Sequence, residues 1–85
     1  MNYAIIDVRE PDEFATSHVY GAINIPLGNI TSPGTLDSLD KLDDIIVYCN
    51  SGNRSGFAKS LLNSLGYKNV INGTNQRQVK SHYGQ

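Results

Sequence analysis

Cys49-Asn50-Ser51-Gly52-Asn53-Arg54-Ser55 places the one cysteine of the chain between an apolar strand pattern and an amphipathic helix pattern. Upstream, Ile45, Ile46, Val47 and Tyr48 form a β-branched and aromatic run that reads as a buried strand ending at the thiol. Downstream, Phe57, Ala58, Leu61, Leu62 and Leu65 recur at helical spacing. Ser55 is the expected N-cap, and Gly66 stands where a left-handed C-terminal cap belongs. A loop so placed turns backbone N–H groups and the positive end of a helix toward whatever Cys49 holds, which suits an anion-binding catalytic loop.

Ionisation explains the grouping. A free cysteine with a pKa of about 8.5 is only a few per cent thiolate at neutral pH, and making half of it thiolate takes a drop of roughly 1.5 units, about 2 kcal/mol. A helix N-terminus supplies about 0.3 to 1 kcal/mol of this. The remainder has to come from inward-pointing loop N–H groups, which Gly52 allows sterically, and from the fixed charge of Arg54. Taken alone, Cys49 would read as a small buried hydrophobe at a strand end. Gly52, Arg54 and Ser55 behind it turn the reading toward a nucleophile.

The elements that must hold this loop alternate between strand and helix. Residues 4–8 read as a strand, and 11–17 as a short helix with proline in its first turn. Residues 23–25 read as a second short strand stopped by Pro26. Residues 28–35 form a loop containing Pro33-Gly34. In 35–42, Leu36, Leu39 and Leu42 are spaced by threes and predict a short helix before the strand at 45–48. Such alternation favours an α/β fold with a parallel sheet, right-handed crossovers and a ligand site at the strands' carboxyl ends, where Cys49 falls. The polar stretch 74–85 is a surface helix or a frayed tail.

Asp7, Arg9 and Glu13 read as a structural ion-pair cluster. His18 reads as a hydrogen-bonding residue of a chain turn, since a thiolate already ionised needs no base. Asn24, in an apolar strand, reads as a residue that satisfies backbone groups. Lys59, Lys68 and Lys80 read as solvated charges.

A second segment carries a resemblance. Ile5-Ile6-Asp7-Val8-Arg9-Glu10-Pro11-Asp12-Glu13-Phe14, followed by His18-Val19-Tyr20-Gly21-Ala22-Ile23-Asn24-Ile25-Pro26, resembles the opening of the rhodanese (sulfurtransferase) domain, and the cysteine loop matches that family's Cys-x-x-Gly-x-Arg-Ser form. The resemblance covers residues 4–72. Ser17 stands where the family usually has glycine, and the segment before Ile5 is shorter than in many members. After Val70-Ile71-Asn72-Gly73, the usual Gly-Gly and tryptophan-containing ending is replaced by Thr74-Asn75-Gln76-Arg77-Gln78. The resemblance implies a small rhodanese-like parallel sheet flanked by helices, over one domain at 1–85. It further implies a thiosulfate sulfurtransferase in which Cys49 takes sulfur from thiosulfate or a persulfide donor and passes it to cyanide, a thiol or a protein acceptor. Loop N–H groups from Asn50, Ser51, Gly52, Asn53, Arg54 and Ser55 would stabilise the persulfide, Arg54 would orient the donor, and Asp7 and Arg9 would have a secondary electrostatic role. No metal or organic cofactor is implied. The alternatives are a cysteine phosphatase or arsenate reductase with a related loop, and a non-catalytic sulfur carrier or protein-binding module. Phosphatases with this type of loop have a longer spacing than the four residues, Asn50 to Asn53, that separate Cys49 from Arg54 here.

Composition narrows the classes further. The 85 residues, 39% of them hydrophobic, suffice for one core, although a chain this short buries only about 60 to 65% of its unfolded surface. A net charge of −1 offers no basic field for nucleic acid or acidic membranes. One cysteine forms no internal disulfide and no multi-thiolate zinc site. No apolar stretch approaches the roughly 18 residues of a spanning helix. The chain reads as cytoplasmic, and a periplasmic form with its export leader removed would read the same.

Overall fold

The structure, a computed structural model, describes residues 3–83. Four strands, β1 (Ala4–Asp7), β2 (Ile23–Asn24), β3 (Asp44–Tyr48) and β4 (Asn69–Thr74), form one parallel sheet in the order β2-β1-β3-β4. Helix α1 (Pro11–Thr16) follows β1, α2 (Asn53–Ser64) links β3 to β4, and α3 (Gln76–Tyr83) follows β4. Among the described residues no helix is long and apolar enough to cross a membrane.

Two hydrophobic layers explain why the central strands are near-continuous apolar runs. A parallel strand covered on both faces needs apolar residues at successive positions rather than at alternate ones. Along β3 the alternation sorts them. Ile45, Val47 and then Cys49 join the layer containing Ala58 and Leu62 of α2, whereas Ile46 and Tyr48 join the layer with Val19 and Val79 of α3. Cys49 thus continues the pleat beyond the strand end and faces the start of α2. The chain leaves β1 toward β2 and returns on its other side as β3, so the carboxyl ends of β1 and β3 flank the point where strand order reverses. Open α/β sheets form their ligand crevice at that point.

Several expectations are corrected. Residues 35–42 form no helix. They make successive i to i+3 turns, with the N–H groups of Thr35, Asp37 and Leu39 donating to Ser32, Gly34 and Leu36 carbonyls. Gly34 has φ +81°, and Asp40 and Asp43 bond nearby backbone N–H groups, so the aspartates satisfy the chain in turns instead of helix. Leu36 and Leu39 still reach the core, while Leu42 is exposed. Helix α2 starts two residues before Ser55, with Gly52 at the N-cap position. Its buried apolar face is Ala58 and Leu62, leaving Phe57 exposed. The polar segment after β4 is helical through Tyr83, with Val79 buried against the sheet; Gly84 and Gln85 lie outside the described residues.

Strand β4, to which the sequence reading assigned no element, is irregular where it meets the site. Val47 pairs with Asn72 and Tyr48 with Thr74, so Gly73 is the extra residue of a bulge. A methyl group on Gly73 would lie 2.7 Å from Val79 Cγ2 and 2.8 Å from Ile46 Cγ2. The missing side chain is therefore what lets α3 close on the sheet. Gly73→Ala should cost about 1 to 3 kcal/mol in urea unfolding. Gly28→Ala, where an added methyl meets nothing within 4 Å, should change stability by less than about 0.5 kcal/mol. Equal effects at the two positions would show that α3 does not depend on the bare glycine.

Candidate active site

Cys49 sits just beyond β3 with its sulfur at the head of α2. The first N–H groups of a helix have no carbonyl partner within it. Here Sγ accepts the Gly52 N–H at 3.1 Å and the Ser55 N–H at 3.5 Å, and lies 3.4 Å from Ser55 Oγ. This explains why Ser55 is not the N-cap: the sulfur takes the place of a capping side chain. Gly52 aims its N–H inward with φ +95°, a conformation disfavoured for residues with a side chain, and an added methyl would press on Thr74 Cγ2 at 3.3 Å.

The thiol is buried, and burial pushes its pKa up. Hydrogen bonds from the Ser55 hydroxyl and from the N–H groups of Ser55, Gly52 and Ser51 oppose this and bring it down to about 7. The site can therefore hold an anionic sulfur near neutral pH. The Asn53 N–H donates to Ser51 Oγ at 3.4 Å, so its hydrogen bond stays within the loop.

The charged residues divide differently from the expected three-residue cluster. Asp7 and Arg9 form a buried pair. Arg9 Nη2 and Nε donate to the Asp7 carboxylate at 2.6 to 3.1 Å, and Nη2 also donates to the Ser17 carbonyl at 2.6 Å. Arg9 also lies 5.7 Å from the Tyr48 ring centroid. Burial raises the Tyr48 hydroxyl to about 12, and that oxygen accepts the Val19 N–H at 3.0 Å. Glu13 leaves this cluster. Its carboxylate takes Arg54 Nη1 and Nη2 at 2.7 and 3.1 Å, and the Asn50 amide donates to it at 2.9 Å. The Arg54 hydrogen bonds hold the Glu13 carboxyl down at about 2. The guanidinium expected to meet a donor anion is thus joined to a carboxylate from α1. Arg9 Nη1 reaches Asn50 Oδ1 at 3.4 Å, which ties the two pairs together across the loop.

His18 donates from Nδ1 to the Phe14 carbonyl at 2.7 Å and stacks on the Phe14 ring. The Asn24 amide donates to the carbonyls of Asp7 and Arg9 at 3.0 and 2.9 Å, fixing the segment that carries the buried pair.

Three residues of the surroundings were not read from the sequence as part of the site. Glu13 was placed only in the ion-pair cluster. Asn72 accepts the Ser55 hydroxyl at 2.6 Å, and Thr74 receives the Cys49 N–H on its carbonyl at 3.1 Å. Thr74 has φ +74°, uncommon for a β-branched residue. An asparagine directly after the apolar pair Val70-Ile71 is the one legible signal of the three.

The model of the rhodanese-like domain matches residues 1–74. The chain is 46% identical over 67 residues to thiosulfate sulfurtransferase PspE of Escherichia coli (strain K12), covering 79% of this chain and 64% of that protein. It is 34% identical over 80 residues to the thiosulfate:glutathione sulfurtransferase of Saccharomyces cerevisiae, covering 81% of this chain and 58% of that protein. The chain therefore spans about three-fifths of the length of these two relatives. Among solved structures, a rhodanese with anions from E. coli superposes with a TM-score of 0.81 at 40% identity, covering 91% of each chain. A parallel sheet in this order, a cysteine at a strand end and a matching domain model lead to one assignment: the chain belongs to the rhodanese-like domain family.

Proposed function

We propose that this chain is a sulfurtransferase acting as a single rhodanese-like domain over 1–85, with Cys49 as the nucleophile. The observation that carries this is the convergence of the Gly52 and Ser55 N–H groups on Cys49 Sγ. The thiolate attacks the outer sulfur of thiosulfate, the sulfur–sulfur bond of the donor breaks, and sulfite leaves with the electron pair. The product is a Cys49 persulfide, whose outer sulfur carries the charge that inward-facing N–H groups of the loop between Asn50 and Ser55 stabilise. Cyanide or a thiol, free or on a protein, then attacks the outer sulfur and restores the thiolate. The names of the sulfurtransferase relatives support thiosulfate as the donor and a thiol as the acceptor. The reading includes a cytoplasmic setting, where thiol acceptors are kept reduced, with a periplasmic one as the alternative.

Intact mass provides the direct test. Thiosulfate should add the mass of one sulfur atom to the protein, cyanide should remove it, and Cys49→Ser should show neither change. Thiocyanate formation surviving in Cys49→Ser would overturn the mechanism. Efficient Cys49-dependent hydrolysis of aryl phosphates would favour a phosphatase instead.

Arg54 and Glu13 set the field that the donor meets. Because Glu13 already occupies the guanidinium, thiosulfate has to compete with a carboxylate for it. Arg54→Ala should lower thiosulfate kcat/KM by about 10- to 100-fold, the loss expected when a charge-assisted hydrogen bond is removed. Glu13→Gln should act in the opposite direction, raising kcat/KM by about 2- to 5-fold, in keeping with a partly exposed pair. A fall in both variants would mean that the pair serves the donor only as a structural unit.

The pH dependence follows from the thiol. The nucleophile is the deprotonated form, so the rate of persulfide formation should rise with pH through a midpoint drawn toward about 7. An unassisted cysteine would instead titrate near about 8.5. The same depression links to stability. The thiolate's contribution is fully present above the unfolded-state pKa and is lost as pH falls through the folded value of about 7. A midpoint at or above that of an unassisted thiol would remove the amide groups from the account.

A further inference from the structure

Counting hydrogens around Ser55 assigns a role to Asn72. The Asn72 amide nitrogen donates to the Gly52 carbonyl at 3.1 Å, and its oxygen accepts the Thr74 N–H at 3.1 Å. These backbone partners fix which end of the amide is which, because the flipped amide would set donor against donor and acceptor against acceptor. Asn72 Oδ1 then stands 2.6 Å from Ser55 Oγ, a contact that only the hydroxyl hydrogen can bridge. Serine has one such hydrogen. Ser55 therefore turns a lone pair toward Cys49 Sγ, 3.4 Å away. In that arrangement a thiol can donate to Ser55, but Ser55 cannot donate to a thiolate.

We propose that Asn72 is a positioning residue that directs the Ser55 hydroxyl hydrogen, holding it on its own amide oxygen while Cys49 is a thiol and releasing it to the sulfur once Cys49 is ionised. In the thiol state the donors run in one direction, from Cys49 S–H to Ser55 Oγ and from Ser55 O–H to Asn72 Oδ1. Ionisation breaks the S–H bond and releases the proton to solvent. The Ser55 O–H bond stays intact and rotates, so that its hydrogen meets the anionic sulfur. Asn72 Oδ1 is not left bare by this exchange, because it keeps the Thr74 N–H. The rotation thus trades a neutral hydrogen bond for one to an anion without leaving the half-buried Asn72 acceptor unpaired. The lowering of the Cys49 pKa that comes from the Ser55 hydroxyl exists only after this turn, whereas the part from the N–H groups is always present.

The proposal deepens the sulfur-transfer reading, but its test needs no sulfur donor. The Cys49 thiolate is titrated by its ultraviolet absorbance in the wild type, Asn72→Leu, Ser55→Ala and the double variant, with folding checked by circular dichroism. Asn72→Leu removes the competing acceptor and should lower the Cys49 pKa by about one unit, a tenfold gain in thiolate-to-thiol ratio at fixed pH. In the Ser55→Ala background the same substitution should have no effect. Ser55→Ala with Asn72 intact should move the pKa by less than about half a unit, because the bond lost from the thiol and the net gain lost from the thiolate oppose each other. An unchanged or raised pKa in folded Asn72→Leu would overturn the proposal. If Asn72→Leu does not fold, Ser55→Ala decides alone. A rise of about one unit or more would show that the hydroxyl already belongs to the sulfur, and a smaller change supports Asn72 as its holder. Failure of the wild type to form a persulfide would count against sulfur transfer and leave this titration standing.

Discussion

Cys49 is only 1% exposed, yet its sulfur must carry negative charge in the proposed reaction, and burial by itself opposes that charge. The offset comes from the Ser55 hydroxyl and from the opening turn of α2, whose first N–H groups have no partner inside the helix. A helix start without a capping side chain and a buried anion are each unfavourable alone. Bringing them together satisfies both, with Gly52 and Ser55 donating to Sγ. Other local features serve this geometry. The pleat of β3 sends Cys49 to the α2 side, and Gly52 adopts the left-handed conformation that aims its N–H inward.

The charges nearby are matched in pairs rather than left to act as free fields. Asp7 and Arg9 are buried together, and removing either partner of such a pair leaves an uncompensated charge at a cost of about 3 to 5 kcal/mol. Their bonds to one another and from Arg9 to the Ser17 carbonyl, with Asn24 holding the same segment, tie down the carboxyl end of β1. Glu13 and Arg54 are only partly covered, with side-chain exposures of 28% and 35%. A pair of that kind adds little to stability and can be opened by a competing anion. The rigid pair thus suits a structural part and the labile pair suits a part that meets substrate.

Much of this was legible because the signals are local. The apolar run before Cys49, the Pro11 start of α1 and Gly66 after α2 each depend on their immediate neighbours, and the elements form where those signals stand. The helix expected at 35–42 failed because leucines spaced by threes also suit successive turns, and Asp40 and Asp43 satisfy turn N–H groups there. Ser55 was misread as a cap because the true acceptor, the Cys49 sulfur, lies six residues earlier in the chain. Glu13, Asn72 and Thr74 were hard to place for a related reason. Glu13 meets Arg54 across 41 positions and Asn72 meets Ser55 across 17, and no spacing rule within one element encodes such contacts.

The end of β4 joins these features into one cooperative unit. Thr74 holds a backbone conformation that costs a residue of its type about 1 to 3 kcal/mol, and such a conformation persists only where surrounding contacts over-determine it. Those contacts belong to the site itself. The Thr74 N–H is held by Asn72 Oδ1, and its carbonyl takes the Cys49 N–H. The bulge at Gly73, closed from behind by Val79, supplies the change of register that brings these groups into line. Loosening Thr74 would therefore remove a hydrogen bond from Cys49 and a fixed partner from Asn72 together. The strain is retained because relaxing it would release the Cys49 N–H from the strand that orients Ser55.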